Sequence, residues 1–172
     1  MSDWTHDFRL HQLSRGPQTI TLVPDADQRA AIAKALDLES LSAFTAKLVA
    51  SAWMDGVALQ GQLTATLEQI CGVTLDSFEQ VIEADIDLRV VPATSPHAPS
   101  PDGGEIERDA DSPDAPDVMT GDSLDLAAYA VEHLALALDP FPRKPGATFT
   151  YEAGPDTTSA FAGLKSLIEP KA

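Results

Sequence analysis

The sequence predicts an α+β domain spanning residues 1–172: an antiparallel sheet, open or closed into a barrel, packed with two main helices and interrupted by a disordered acidic loop at residues 93–121. Three observations predict it. Long runs of strict apolar/polar alternation mark strands, two alanine-rich segments with acidic caps mark helices, and a Pro/Ser/Asp-rich segment between them holds few large apolar residues. With 44% of 172 residues hydrophobic, the chain has enough apolar surface for one core.

The strands follow from the alternation. Phe44, Ala46, Leu48, Ala50 and Ala52 repeat at every second position up to Trp53, and Asp55-Gly56 follows as a turn signal. Val57, Leu59, Leu63, Ala65 and Leu67 then alternate with Gln60, Gln62, Thr64 and Thr66, which makes the pair a β-hairpin with one buried face. From Glu79 to Val91, Ile82, Ala84, Ile86, Leu88 and Val90 oppose Glu83, Asp85, Asp87 and Arg89, a third long strand that Pro92 stops. Two shorter strands are expected in the same antiparallel sheet, one around Trp4, Phe8 and Leu10 and one over Thr19 to Val23, ended by Pro24.

The helices follow from caps and composition. Asp25 caps the first, Gln28 completes a capping box, and Arg29 to Leu38 is rich in alanine with Ile32 and Leu36 one turn apart. Asp125 caps the second, Leu126 to Leu138, whose Ala127, Ala130, Val131, Leu134, Ala137 and Leu138 form a broad apolar face. Leu136 extends that surface, so cover on more than one side is expected. Pro140 and Pro142 forbid continuation. A weaker helical signal, Phe161, Leu164, Leu167 and Ile168, falls in the tail, residues 154–172, read as partly flexible.

The charge is placed unevenly. The chain has 11 Lys+Arg against 27 Asp+Glu, a formal net charge of -16. Nine of the acidic residues and only Arg108 among the basic ones lie between Asp102 and Asp125, within or beside a segment broken by Pro96, Pro99, Pro101, Pro113 and Pro116. Such a composition cannot offset its chain entropy by burial, which is why residues 93–121 read as disordered. No run approaches the roughly 20 apolar residues of a membrane span. The acidic opening residues, Met1 to Asp7, lack an apolar targeting core, so a cytoplasmic location and no membrane partner are expected.

A search for chemistry returns little. No glycine-rich phosphate loop is present, no Cys-x-x-Cys or His-Glu-x-x-His motif occurs, and His6, His11, His97 and His133 lack ligand spacing, so no catalytic residue, cofactor or metal is expected. Glu132 and His133 are neighbours on a helix and diverge by about 100°, which favours a polar helix face over a site. The carboxylates of the third long strand read as a solvated row. Cys71, the single cysteine, closes a strand near a turn and reads as a small buried thiol, with a reactive thiol as the alternative.

Two segments carry more order than composition requires. One is Gln69 to Asp76 with the strand after it, "QICGVTLDSFEQVIEADIDL"; the other is "GDSLDLAAYAVEHLALALDPFPRKPGA", where a long helix exits through three prolines. In this order, separated by an acidic loop, they resemble the YceD family, or large ribosomal RNA subunit accumulation proteins, and the second block resembles alphaproteobacterial members. The resemblance implies a role in keeping up 23S ribosomal RNA through processing, stability or assembly, with no established enzymatic reaction. Cys71, Asp139, Pro140, Pro142, Arg143 and Gly146 match the family pattern. Family members often carry a Cys-x-x-Cys pair where this chain has Cys71-Gly72-Val73-Thr74; Thr74 replaces the second cysteine, and no metal role is carried over.

Electrostatics sets how such a role would operate. Eleven scattered basic residues under a net charge of -16 do not suit extended direct contact with RNA. They suit a basic partner, so the expected function is a non-enzymatic adaptor for a basic ribosomal or ribosomal-RNA-processing protein. The alternatives are a small thiol-dependent enzyme or hydrolase using Cys71, and mimicry of nucleic acid by the acidic loop. The expected partner-binding site is the rigid turn after the second helix: Asp139, Pro140, Phe141, Pro142, Arg143, Lys144 and Gly146.

Overall fold

The computed structural model describes residues 4–99 and 115–150. Its elements run β1 (Asp7–Arg9), a 3-10 turn (Leu10–Arg15), β2 (Gln18–Leu22), α1 (Ala26–Ala35), β3 (Ser40–Trp53), β4 (Gly56–Ile70), β5 (Ser77–Pro92), β6 (Asp117–Met119), β7 (Ser123–Asp125) and α2 (Leu126–Ala137). The main sheet is five-stranded in the order β2-β3-β4-β5-β6. Among the described residues it is open, with β2 and β6 at its edges and no closure into a barrel.

The three long strands arise as their alternation dictates. Phe44, Leu48, Leu59, Leu63, Leu67, Ile82, Ile86 and Val90 all point to one face and are buried there with Ile32 and Ala33 of α1 and Leu126, Ala127, Ala130 and Leu134 of α2. Two helices therefore cover one face of the sheet. Trp4 joins this core edge-to-face on Phe44, with ring centroids 5.6 Å apart. The other face is open to solvent and carries Lys47, Gln60, Gln62, Glu83, Asp85 and Asp87. Across it the Gln62 amide donates to Asp85 Oδ1 at 2.9 Å. At Gly61, on the covered side of β4, the β3 backbone at Lys47 and Leu48 lies where a Cβ would sit, so only glycine permits this approach.

The helix caps form as the sequence indicates. Asp25 Oδ1 accepts the Gln28 N–H at 2.8 Å and the Gln28 side chain accepts the Asp25 N–H at 2.9 Å, closing the capping box. Asp125 Oδ1 accepts the N–H groups of Ala127 and Ala128, and also that of His6 at 2.9 Å. One carboxylate thus starts α2 and ties down the N-terminal segment.

Several expectations are corrected. The segment around Phe8 does not join the main sheet: β1 pairs with β7 in a separate two-stranded sheet, because its partners lie at the entrance to α2. The main sheet is mixed rather than antiparallel, since β6 runs parallel to β5 through Val90↔Asp117, Val91↔Val118 and Pro92↔Met119. Part of the segment expected to be disordered is therefore a strand, with Met119 buried; residues 100–114 lie outside the described residues. Pro92 ends β5 as expected, being itself the last residue of the strand. Leu136 is 76% exposed, so α2 is covered on a single side. The helical signal of the tail also lies outside the described residues.

The Asp125 cap has a measurable consequence. Asp125→Ala removes acceptors from two helix N–H groups and from His6, and is expected to lower unfolding free energy by about 1–2 kcal/mol in denaturant titration. Asp125→Asn keeps an oxygen acceptor and should lose less.

Candidate functional site

The end of β4 and the exit from α2 meet at one place. Beyond Ile70 the chain turns through Cys71 to Asp76 before β5 begins. The Cys71 N–H donates to Asp76 O at 2.8 Å and the Leu75 N–H returns to Cys71 O at 2.9 Å, with Leu75 in the left-handed region at φ 61°. On the other side, Asp139 Oδ1 accepts the Phe141 N–H at 2.8 Å and sets the bend after α2.

The Cys71 sulfur joins the two. It accepts N–H groups from Val73 at 3.4 Å, from Thr74 at 3.5 Å and from Lys144 at 3.3 Å. The Gly72 N–H donates to Pro142 O at 2.9 Å, and Lys144 Nζ lies 3.5 Å from Asp76 Oδ2. The sulfur has no accessible surface. Its pKa is lowered from 9.0 to about 6, first by the Thr74 side chain and then by the N–H groups of Lys144 and Thr74, which outweigh the opposing effect of burial. The converging donors thus favour the anionic form of a sulfur that they also enclose.

The structure brings the sequence-selected residues together only in part. Cys71 is buried, as expected of a small thiol, and lies against Lys144, a neighbour that no local spacing announces. Phe141 does not fold back into the core; it is 76% exposed. Arg143 is exposed as well, while the Lys144 charge is met by Asp76. His133 is half-buried with its Nδ1 3.0 Å from Tyr129 O, a bond within its own helix. Burial raises the Tyr129 phenol to about 12, helped by Asp117 and Glu132, so it stays protonated. Among the described residues no group of three or more His, Cys, Asp or Glu side chains is placed to hold a metal ion.

Sequence reasoning missed a groove beside this clamp. It lies between the C-terminal ends of α1 and α2 and the end of β4, with a volume of about 360 Å³, and its lining includes Asp37, Glu39, Gln69 and Asp139. Gln69 had the signal to be found, as a polar residue in register with the buried positions of β4.

A family model described as "Large ribosomal RNA subunit accumulation protein YceD" matches residues 59–167, from within β4 past α2. No curated protein and no solved structure matches the chain. No described helix is long and apolar enough to cross a membrane.

The thiolate clamp predicts a pH dependence. The folded pKa lies below the unfolded one, so the ionisation-dependent part of the Cys71 contribution to stability is complete above about pH 9, declines as pH falls and is gone below about pH 6. The stability difference between the native chain and Cys71→Ser should therefore shrink over that window in parallel denaturant titrations. Alkylation of Cys71 should be slow in the folded chain at neutral pH and fast once it is unfolded; fast reaction when folded would refute the enclosed-thiolate reading.

Proposed function

We infer the function from this premise: the chain belongs to the YceD family of large ribosomal RNA subunit accumulation proteins. That family name implies a role in accumulation of large-subunit ribosomal RNA. Within it, this chain acts in the cytoplasm without catalysing a reaction, as an adaptor that holds a basic ribosomal or ribosomal-RNA-processing protein. The single observation that carries this reading is the sign of its charge, -16 across 172 residues. Phosphate binding draws on clustered Lys and Arg, whereas an excess of carboxylates attracts cationic proteins and repels RNA.

The partner-facing element in this reading is the turn Asp139, Pro140, Phe141, Pro142, Arg143, Lys144 and Gly146. Two backbone ties, Gly72 to Pro142 and Lys144 to the Cys71 sulfur, hold it against the β4–β5 loop. Its aromatic ring faces solvent, and its prolines leave little backbone freedom to lose on binding. An exposed aromatic next to an arginine is a composition typical of interface hot spots. The alternative of a thiol-dependent enzyme gains nothing from a sulfur with no accessible surface.

The test is the double variant Phe141→Ser/Arg143→Ser. Neither side chain is buried or bonded to another described side chain, so the melting temperature should be unchanged, while partner recovery from nuclease-treated lysate and large-subunit RNA levels in a deletion strain should both fall. Full rescue by the folded double variant would remove this turn from the proposal. Tight, salt-sensitive binding of the purified chain to naked ribosomal RNA would remove the adaptor reading itself.

A further inference from the structure

The groove between the two helix ends is electrostatically one-sided. α1 ends at Ala35 and α2 at Ala137; the N–H groups of Leu36, Leu38 and Leu138 take the carbonyls of Ile32, Ala33 and Ala135, and the helix dipoles leave negative partial charge at both ends. α2 has no basic residue in its last turn; Lys34 of α1 lines, with Arg29, a neighbouring cavity that shares Asp37 and Glu39 with this groove. Asp37, Glu39 and Asp139 add three exposed carboxylates, none of them ion-paired among the described residues, and no Lys, Arg or His lines the groove. The site has the field of an anion with no cation in it.

A second observation is independent of the carboxylates. Gln69 lines the groove from β4, is only 9% exposed, and its Oε1 is enclosed without a hydrogen-bond partner. A buried amide in that condition is a vacancy in the polar accounting of a fold, because buried side-chain oxygens nearly always find a donor. Rotation of the terminal amide about its last torsion exchanges oxygen and nitrogen, so an oxygen can be turned to whichever donor enters.

The ligand that fits is an extended cation with several donors. The carboxylates are not clustered as metal ligands. A guanidinium offers five N–H donors in a plane, which suits acceptors spread around a groove, and its weak hydration suits a partly apolar wall such as Ile70, 47% exposed, with Pro140 and Pro142. We propose that this groove is a docking site for an arginine side chain in a basic segment of a partner protein, received by Asp37, Glu39, Asp139 and the Gln69 amide between the C-termini of α1 and α2. The proposal rests on the adaptor reading for the nature of the partner and adds the place and the side chain.

The test uses the purified full-length chain and a peptide of alternating arginine and glycine, followed by nuclear magnetic resonance. The signals of the Gln69 side chain, Ile70 and Asp139 should move on titration, and the matching lysine peptide should bind more weakly. The variant D37N/E39Q/D139N should lose at least about tenfold in affinity, whereas E83Q/D85N/D87N, with the same charge change on the open sheet face, should lose much less. Gln69→Leu removes an unpartnered buried amide, so it should weaken peptide binding without lowering the melting temperature, and it decides the matter if the triple variant does not fold. Equal loss in the two triple variants, equal binding of the lysine peptide or of spermidine, or movement of the free-chain Gln69 signal on deletion of residues 151–172 would each overturn the proposal, the last by showing the chain's own tail in the groove. Because the readout is a defined peptide on the isolated chain, its failure leaves the adaptor reading standing, and failure of that reading in cells leaves this result intact.

Discussion

The rest of the structure depends on β4 being paired along both of its edges. Its residues pair with β5 from Val57 to Ile70 and with β3 from Gly56 to Glu68, the latter ladder shifting register once between Leu41 and Ala43 of β3. Every backbone polar group of a buried central strand must find a partner in its neighbours, which fixes the register, and the register fixes which side chains face the helices. A one-residue slip would send Leu59, Leu63 and Leu67 to solvent and bring Gln60, Gln62 and Thr64 inward. The same register delivers Gln69 to the covered side at the helix ends and leaves Cys71 just past the strand, where the chain is free to turn.

What Cys71 does there is distinct from packing. Backbone N–H groups that turn away from a sheet need acceptors, and the loop from Cys71 to Asp76 leaves those of Val73 and Thr74 without carbonyl partners. The sulfur takes both and has capacity for a third, which the Lys144 N–H supplies. Converging donors stabilise the anion over the thiol, so the lowered pKa and the clamp are two expressions of one geometry. The result joins the exit of α2 to the end of β4 through a side chain whose acceptor strength depends on its charge. The turn that presents Phe141 and Arg143 is thereby held at its base without any contribution from their own side chains.

What was legible in the sequence follows a physical rule. The β3–β4 hairpin, β5 and both helix caps were readable because alternation and capping are local, and each is written in residues close together along the chain. β1 was not assigned to its sheet because its pairing with Ser123, Leu124 and Asp125 depends on where α2 begins, and three residues carry no signature of a distant partner. β6 was hidden because Pro113 and Pro116 dominate the composition around it, while three residues, Asp117, Val118 and Met119, suffice to pair against Val90, Val91 and Pro92. Leu136 misled because an apolar residue on a helix does not itself state whether a neighbour is present. The site was half legible. Cys71 and the proline turn stood out, but the contact between them is made by the backbone of Lys144, and a backbone N–H has no sequence signature. The groove stayed hidden because its charge comes partly from helix ends, which belong to no residue.

The position of the groove bears on how an acidic chain avoids indiscriminate binding. Net charge draws every basic protein, so attraction alone does not select. Selection needs a feature that penalises the wrong partner, and here two features of opposite sign adjoin: the groove with Asp37, Glu39 and Asp139, and the Arg143 guanidinium on the turn that Asp139 begins. In the proposed reading, the groove receives one arginine, and Arg143 disfavours only a second cation placed directly against it. A segment that carries an arginine and, a short way along, a carboxylate satisfies both. The Cys71 clamp keeps the two features at a constant separation, since it ties the turn at Pro142 and Lys144 to the strand end that supplies Gln69. In that reading, fixed spacing between opposite charges favours one pattern of partner charge over a general attraction for basic proteins, and it rests on backbone N–H donors that surface substitutions leave in place.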